Sequence, residues 1–121
     1  MRAVWGFSVG SMLAACGSAQ ALSGQYQGSG SDPSGYKWQL HAKITPVEGR
    51  SYKVQLTSTN ATCASQTEGT GTLRGNTLKT AGSCPLTIRF NGRTARVIEG
   101  EGCVSEHGST CSFNGVLHRG R

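Results

Sequence analysis

The chain has 121 residues, eighteen of them glycine and three proline, with 36% apolar and 15% charged residues and a formal charge of +6. One domain is the expectation at this length, which excludes a dinucleotide-binding enzyme fold, a (β/α)8 barrel and any multi-domain machine. The glycine content and the scarcity of Leu/Ala/Glu/Lys runs exclude a helix bundle and suit short strands joined by tight turns.

Residues 1–21 read as an export segment and not as part of the fold. Met1-Arg2 supplies a positive charge, and Ala3 to Ala15 is a run of apolar and small residues. That run is too short for a bilayer, which needs about 20 residues. A charged start followed by a short apolar stretch is the pattern of a secretory signal. Two cleavage patterns overlap. Ala19-Gln20-Ala21 is an A-x-A site that would leave Leu22 as the first residue. Leu13-Ala14-Ala15-Cys16 resembles the lipobox of bacterial lipoproteins, which would make Cys16 a lipidated first residue. Either way residues 22–121 form the exported domain.

Within that domain the strands can be taken in order. Gly24 to Gly28 is a short first strand, followed by a Gly/Ser/Pro loop from Ser29 to Gly35. Tyr36, Trp38, Leu40, Ala42 and Ile44 share one parity, and Lys37, Gln39, His41 and Lys43 share the other. Such alternation marks a strand with one buried and one wet face. Pro46 to Arg50 reads as a turn, and Tyr52, Val54 and Leu56 continue the pattern in a second hairpin strand. Thr67 to Leu73 and Thr77 to Thr80 flank the turn signal Gly75-Asn76. Leu86 to Phe90 alternates again, turns at Asn91-Gly92, and returns through Thr94 to Glu99. Ser105 to Ser109 is polar and turn-like, and Cys111 to His118 reads as the last strand. The expectation is all-β: a small antiparallel β-barrel of about 7–8 strands, because closure removes exposed edges. Trp38, Leu40, Tyr52, Leu56, Leu86, Phe90 and Phe113 are expected to fill it.

Of five cysteines, Cys16 leaves the fold either by lipidation or with the signal. Cys63, Cys84, Cys103 and Cys111 remain, an even number in a small exported domain, which predicts two disulfides. Local loop closure favours Cys63–Cys84 and Cys103–Cys111. With Arg2 removed, eleven Lys and Arg stand against six Asp and Glu, a net charge of +5. That balance favours an anionic partner, either an envelope component or an acidic protein. Export and the lack of clustered aromatics among the basic residues argue against nucleic acid. Membrane contact is expected only through the Cys16 anchor, if that site is used.

The signals for chemistry are few. No Gly-x-Ser-x-Gly elbow, His-Glu-x-x-His pair or phosphate loop occurs. His41 and His118 fall on outward parities. The densest polar cluster runs from Glu99 to Cys111 and holds Glu99, Glu101, Glu106 and His107. Zinc held by Cys103, Cys111 and His107 would lack a Cys-x-x-Cys pair and compete with disulfide formation. No metal, no cofactor and no enzymatic activity are expected. Glu99, Glu101, Glu106 and His107 are read instead as an exposed recognition loop held by a Cys103–Cys111 bond, which lowers the entropy cost of docking. Arg89, Arg93 and Arg96, along the hairpin at Asn91-Gly92, form a second candidate surface.

The pattern of Cys84, Gly102-Cys103, His107-Gly108, Cys111-Ser112-Phe113-Asn114-Gly115 and Arg119 resembles small bacterial cell-envelope β domains, which also occur beside modules related to lysozyme inhibitors. The resemblance covers roughly 67–119. It implies a disulfide-bonded barrel in the periplasm or on the outer membrane, and inhibition of lysozyme by a loop that plugs the active-site cleft. The nearest match to the inhibitory Ser/Gly/Lys/Tyr loop, Ser34-Gly35-Tyr36-Lys37, lies near the start of the domain instead of late in it. The expected function is therefore an exported, non-enzymatic binding or inhibitor module. The alternative is a carrier of a small apolar ligand inside the barrel.

Overall fold

A computed structural model describes residues 22–120. The Cys16 lipidation site and both cleavage patterns lie outside the described residues. Eight strands form one closed antiparallel barrel: β1 Gly24–Ser31, β2 Lys37–Glu48, β3 Ser51–Asn60, β4 Cys63–Arg74, β5 Thr77–Thr80, β6 Leu86–Asn91, β7 Thr94–Glu99 and β8 Gly115–Arg119. Each strand pairs with its neighbours in sequence, and β8 closes on β1. A single helical turn, α1 (Val104–His107), sits between β7 and β8.

The alternation in the sequence drives this arrangement. Trp38, Leu40, Ala42 and Ile44 of β2 are buried while Lys37, Gln39, His41 and Lys43 are exposed. Tyr52, Val54 and Leu56 of β3, Leu86, Ile88 and Phe90 of β6, and Ala95 and Val97 of β7 join them in one core. All seven side chains expected to fill the barrel are buried. Each fully buried large apolar side chain contributes roughly 1.5–3 kcal/mol. Tyr36 precedes β2 and is 46% exposed.

The turns follow backbone chemistry. Gly75 and Gly92 open two-residue hairpin loops with φ of 61° and 64°, a region that primed hairpin turns require and only glycine enters freely. Glycine also permits closure of the barrel. A Cβ on Gly28 would overlap the Val116 carbonyl and the Leu117 Cα across the β1–β8 seam.

Several sequence expectations are corrected. Pro46 belongs to β2, not to a turn. The last residue of β2 paired with β1 is Ile44, so the missing proline N–H leaves no ladder bond unmade on that side. The strand after the β3–β4 turn begins at Cys63, earlier than Thr67. The last strand begins at Gly115, and Cys111 to Asn114 precede it as irregular chain. The polar stretch around Ser105 contains α1.

The disulfide pairing also differs. The bonds are Cys63–Cys111 and Cys84–Cys103, closing 48 and 19 residues of sequence. The reason is topological. Residues 100–114 leave β7 and cross the barrel end that also carries the β3–β4 hairpin and the β5–β6 loop. Cys103 passes the β5–β6 loop, and Cys111 passes the start of β4. Both bonds therefore fasten the same segment, a cap, to the barrel.

Candidate functional site

The cap holds the four residues read from sequence as a recognition loop. The structure separates them into two pairs. Glu101 is exposed and Glu106 is half-buried, with its carboxylate accepting from the Ser83 hydroxyl at 3.3 Å. Glu99 and His107 turn inward. Their side chains are 13% and 4% exposed, and His107 Nε2 lies 3.0 Å from the Glu99 carboxylate. The expectation that His107 is exposed is corrected, and the cause lies in β7. Glu99 shares the inward parity of Ala95 and Val97, so its carboxylate enters the mouth of the barrel.

There Glu99 organises the cap. Its carboxylate accepts from the Ser112 hydroxyl at 2.9 Å and from the Phe113 amide at 2.8 Å. The second ring nitrogen of His107 faces the Gly108 carbonyl. The ring also meets Phe113 edge to face, with centroids 5.3 Å apart. Further bonds tie the cap to the barrel wall. Trp38 Nε1 donates to the Asn114 carbonyl at 2.8 Å, the Ser58 hydroxyl to the Ser112 carbonyl at 2.6 Å, and Asn60 Nδ2 to the Thr110 carbonyl at 2.7 Å. A serine nucleophile would need its hydroxyl on an imidazole nitrogen. Here Ser112 donates to Glu99 instead, and both His107 nitrogens face other acceptors. Both sulfurs of the Cys103, Cys111 and His107 set are consumed in disulfides. The cap is a clamp over the barrel mouth.

A different surface gathers four cations that are unpaired among the described residues. On the outer face, Arg74 of β4 pairs in register with Thr77 of β5, Thr77 with Arg89 of β6, and Arg89 with Arg96 of β7. Lys79 of β5 lies one outward position further along, opposite Thr72. All four cations are exposed. None of their side chains has a hydrogen bond or ion pair among the described residues; the two ion pairs there are Lys53–Glu68 at 3.6 Å and His107–Glu99. Three of the four, Arg74, Lys79 and Arg89, border an open groove of about 680 Å³ lined also by Thr70, Thr72 and Thr77.

The sequence-level set Arg89, Arg93 and Arg96 is thus split. Arg89 and Arg96 are direct cross-strand neighbours. Arg93 turns away and donates to the carbonyls of Arg119 and Gly120 at 3.2 and 2.9 Å. Arg74 and Lys79 were missed. The available signal was their outward parity on either side of Gly75-Asn76, opposite to Leu78. Comparison with protein-family models, with curated proteins and with solved structures finds no match for this chain.

Proposed function

We propose that the chain is an exported, non-enzymatic binding module of the bacterial cell envelope, and that it holds an anionic envelope component on the outside of its barrel. One observation carries this reading: four cations gather on the outer face of β4–β7 with no carboxylate set against them among the described residues. Like charges directly opposite on a sheet destabilise it. A surface that keeps Arg89 opposite Arg96 gains when an anion lies across them. Two disulfides fit an oxidising extracellular or periplasmic compartment. Lipidation at Cys16 would place the module on a membrane, and an A-x-A cut before Leu22 would release it.

The carrier alternative is less well supported, because the barrel interior is packed with side chains such as Tyr26, Tyr52, Leu56 and Phe113, each at most 2% exposed. Lysozyme inhibition through the cap would rest on Glu101 and Glu106, since Glu99 is engaged within the fold. The test is adsorption of the oxidised protein to isolated envelopes across a salt series. Saturable adsorption that weakens with salt, and that falls in an Arg89→Thr/Arg96→Thr variant, is expected. Adsorption indifferent to both would overturn the assignment to this face. Inhibition of lysozyme that a Glu101→Ala/Glu106→Ala variant abolishes would move the function to the cap.

A further inference from the structure

We infer that the ligand of the β4–β7 face is a linear polymer bearing phosphate groups, seated with one phosphate in the groove between Arg74, Lys79 and Arg89 and the next beside Arg96. This rests on the anionic-partner reading above and names the chemistry of that partner.

Register sets the shape of the site. Arg74, Arg89 and Arg96 stand on β4, β6 and β7 in one cross-strand row. Neighbouring strands are about 4.8 Å apart, so the row runs about 14 Å from first to last. A single small anion cannot neutralise charges spread over that distance, whereas a chain of anions lying across the strands can. The groove is local and concave, about 680 Å³, and holds three cations at its rim.

Donor chemistry then selects among anions. A guanidinium presents a planar fork that fits two oxygens of a phosphate or a carboxylate, and an ammonium adds a rotatable point charge. The groove adds the hydroxyls of Thr70 and of Thr72, the latter also 3.4 Å from the Ser51 hydroxyl. Two arginines, a lysine and two threonines border one groove. A carboxylate has two oxygens to offer them. A phosphate within a chain carries its charge on two non-bridging oxygens and has two weaker bridging ones, all four arranged tetrahedrally, so it meets donors from outside the single plane in which a carboxylate accepts. No carboxylate of the chain competes for these donors among the described residues. The one acidic side chain on the outer face of β4, Glu68, accepts from Gln55 and pairs with Lys53.

The natively produced, oxidised protein is titrated at low salt with fluorescent long-chain inorganic polyphosphate, with polyglutamate of matched length and with phosphatidylglycerol vesicles, following anisotropy or co-sedimentation. Binding to polyphosphate at least tenfold tighter than to polyglutamate is expected, with a loss of tenfold or more in Arg89→Thr/Arg96→Thr and in Arg74→Thr/Lys79→Thr. The charge-matched control Lys37→Thr/Lys43→Thr, on the exposed face of β2, should change affinity less than threefold. Circular dichroism and cooperative unfolding establish that each variant is folded. Equal or tighter binding of polyglutamate overturns the phosphate inference and leaves the anionic face standing. Binding to vesicles alone overturns the polymer. Binding that all three variants retain overturns the site. Failure of every anion to bind overturns both this inference and the reading on which it rests.

Discussion

His107 Nε2 lies 3.0 Å from the Glu99 carboxylate, beneath a segment that two disulfides fasten to the barrel. That contact places a carboxylate near the core and explains why it is tolerated. The Glu99 carboxylate is met by three donors of the cap: His107, the Ser112 hydroxyl and the Phe113 amide. A carboxyl group drawn toward a core is tolerated when its oxygens are hydrogen-bonded in this way.

Removing the acceptor should therefore cost far more than removing a neighbouring carboxylate. Glu99→Ala leaves the Phe113 amide and the Ser112 hydroxyl without their acceptor, and each such loss costs about 1–3 kcal/mol. Glu99→Ala is expected to destabilise the domain by about 2–4 kcal/mol. Glu101→Ala, on the exposed side of the same segment, should stay within about 0.5 kcal/mol. Urea unfolding under oxidising conditions checks both. Equal effects would remove Glu99 as the organiser of the cap.

The limits of the sequence can be located residue by residue. Trp38, Leu40, Ala42 and Ile44 announce their strand because a half-buried strand must alternate, and that signal is local. The closed barrel follows from repeating it. The disulfide partners depend on where residues 100–114 cross the barrel end, which no local pattern encodes. Assigning Cys111 to the last strand placed it beside Cys103. In fact three further residues of irregular chain precede Gly115, and Cys111 lies over Cys63. Glu99 was legible in part: its parity matches Ala95 and Val97, but a carboxylate on an inward position is tolerable only once Ser112, Phe113 and His107 are known to meet it. The basic row was legible as parity and hidden as register, since Arg74 and Arg96 are brought together through two intervening strands.

The two disulfides should differ in worth according to the chain they close. In the loop-entropy model, closing 48 residues restricts the unfolded chain by about 4 kcal/mol and closing 19 residues by about 3 kcal/mol. Cys63→Ser/Cys111→Ser is expected to lower stability somewhat more than Cys84→Ser/Cys103→Ser. Non-reducing peptide mapping should recover Cys63 with Cys111 and Cys84 with Cys103. Recovery of a Cys63–Cys84 peptide would refute the cap as described.

Alkaline pH should unfold the barrel through its buried phenols. Burial pushes the Tyr26 hydroxyl above its ordinary pKa of 10.0, against the opposing pull of Arg119 and Arg93. Tyr52 is raised by burial too, against Arg50. The folded state holds these protons more tightly than the unfolded chain does. Their contribution to stability is complete below the unfolded pKa of about 10 and is lost as pH rises through the higher folded values. Stability should be insensitive to these groups near pH 8 and should fall steadily above pH 10. Tyr26→Phe removes a proton to lose, along with the bond from the hydroxyl to the Leu22 carbonyl at 2.9 Å. Its stability curve should be lower at pH 8 and flatter above pH 10. Denaturant midpoints measured at both pH values decide the matter.

Closure of the barrel should hinge on Gly28. A methyl group there meets the Val116 carbonyl and the Leu117 Cα, which are backbone atoms and cannot swing aside. Gly28→Ala must part β1 from β8 or push Leu117 out of the core, at a cost of roughly 1–3 kcal/mol for overpacking. Amide exchange should accelerate first at the β1–β8 pairs, Gln27 with His118 and Ser29 with Val116, ahead of the β2–β3 pairs. Uniform acceleration around the barrel would argue against a seam.

The charge arrangement on β6 and β7 should show in stability without any ligand. Arg89 and Arg96 stand directly opposite on the outer face, with no counter-charge among the described residues. Directly opposed like charges on a sheet cost from a few tenths to about 1 kcal/mol. Threonine suits an exposed strand position and removes the repulsion. Arg96→Thr should therefore raise stability by that amount at low ionic strength. The gain should shrink in 1 M salt, where screening acts within about 3 Å. A substitution that stabilises the free protein while weakening its hold on polyphosphate is what a binding surface built from unopposed charge requires. Arg96→Thr that destabilises at low salt would mean that the arginine packs along the sheet through its aliphatic stem, and the row would then be a structural feature of β7.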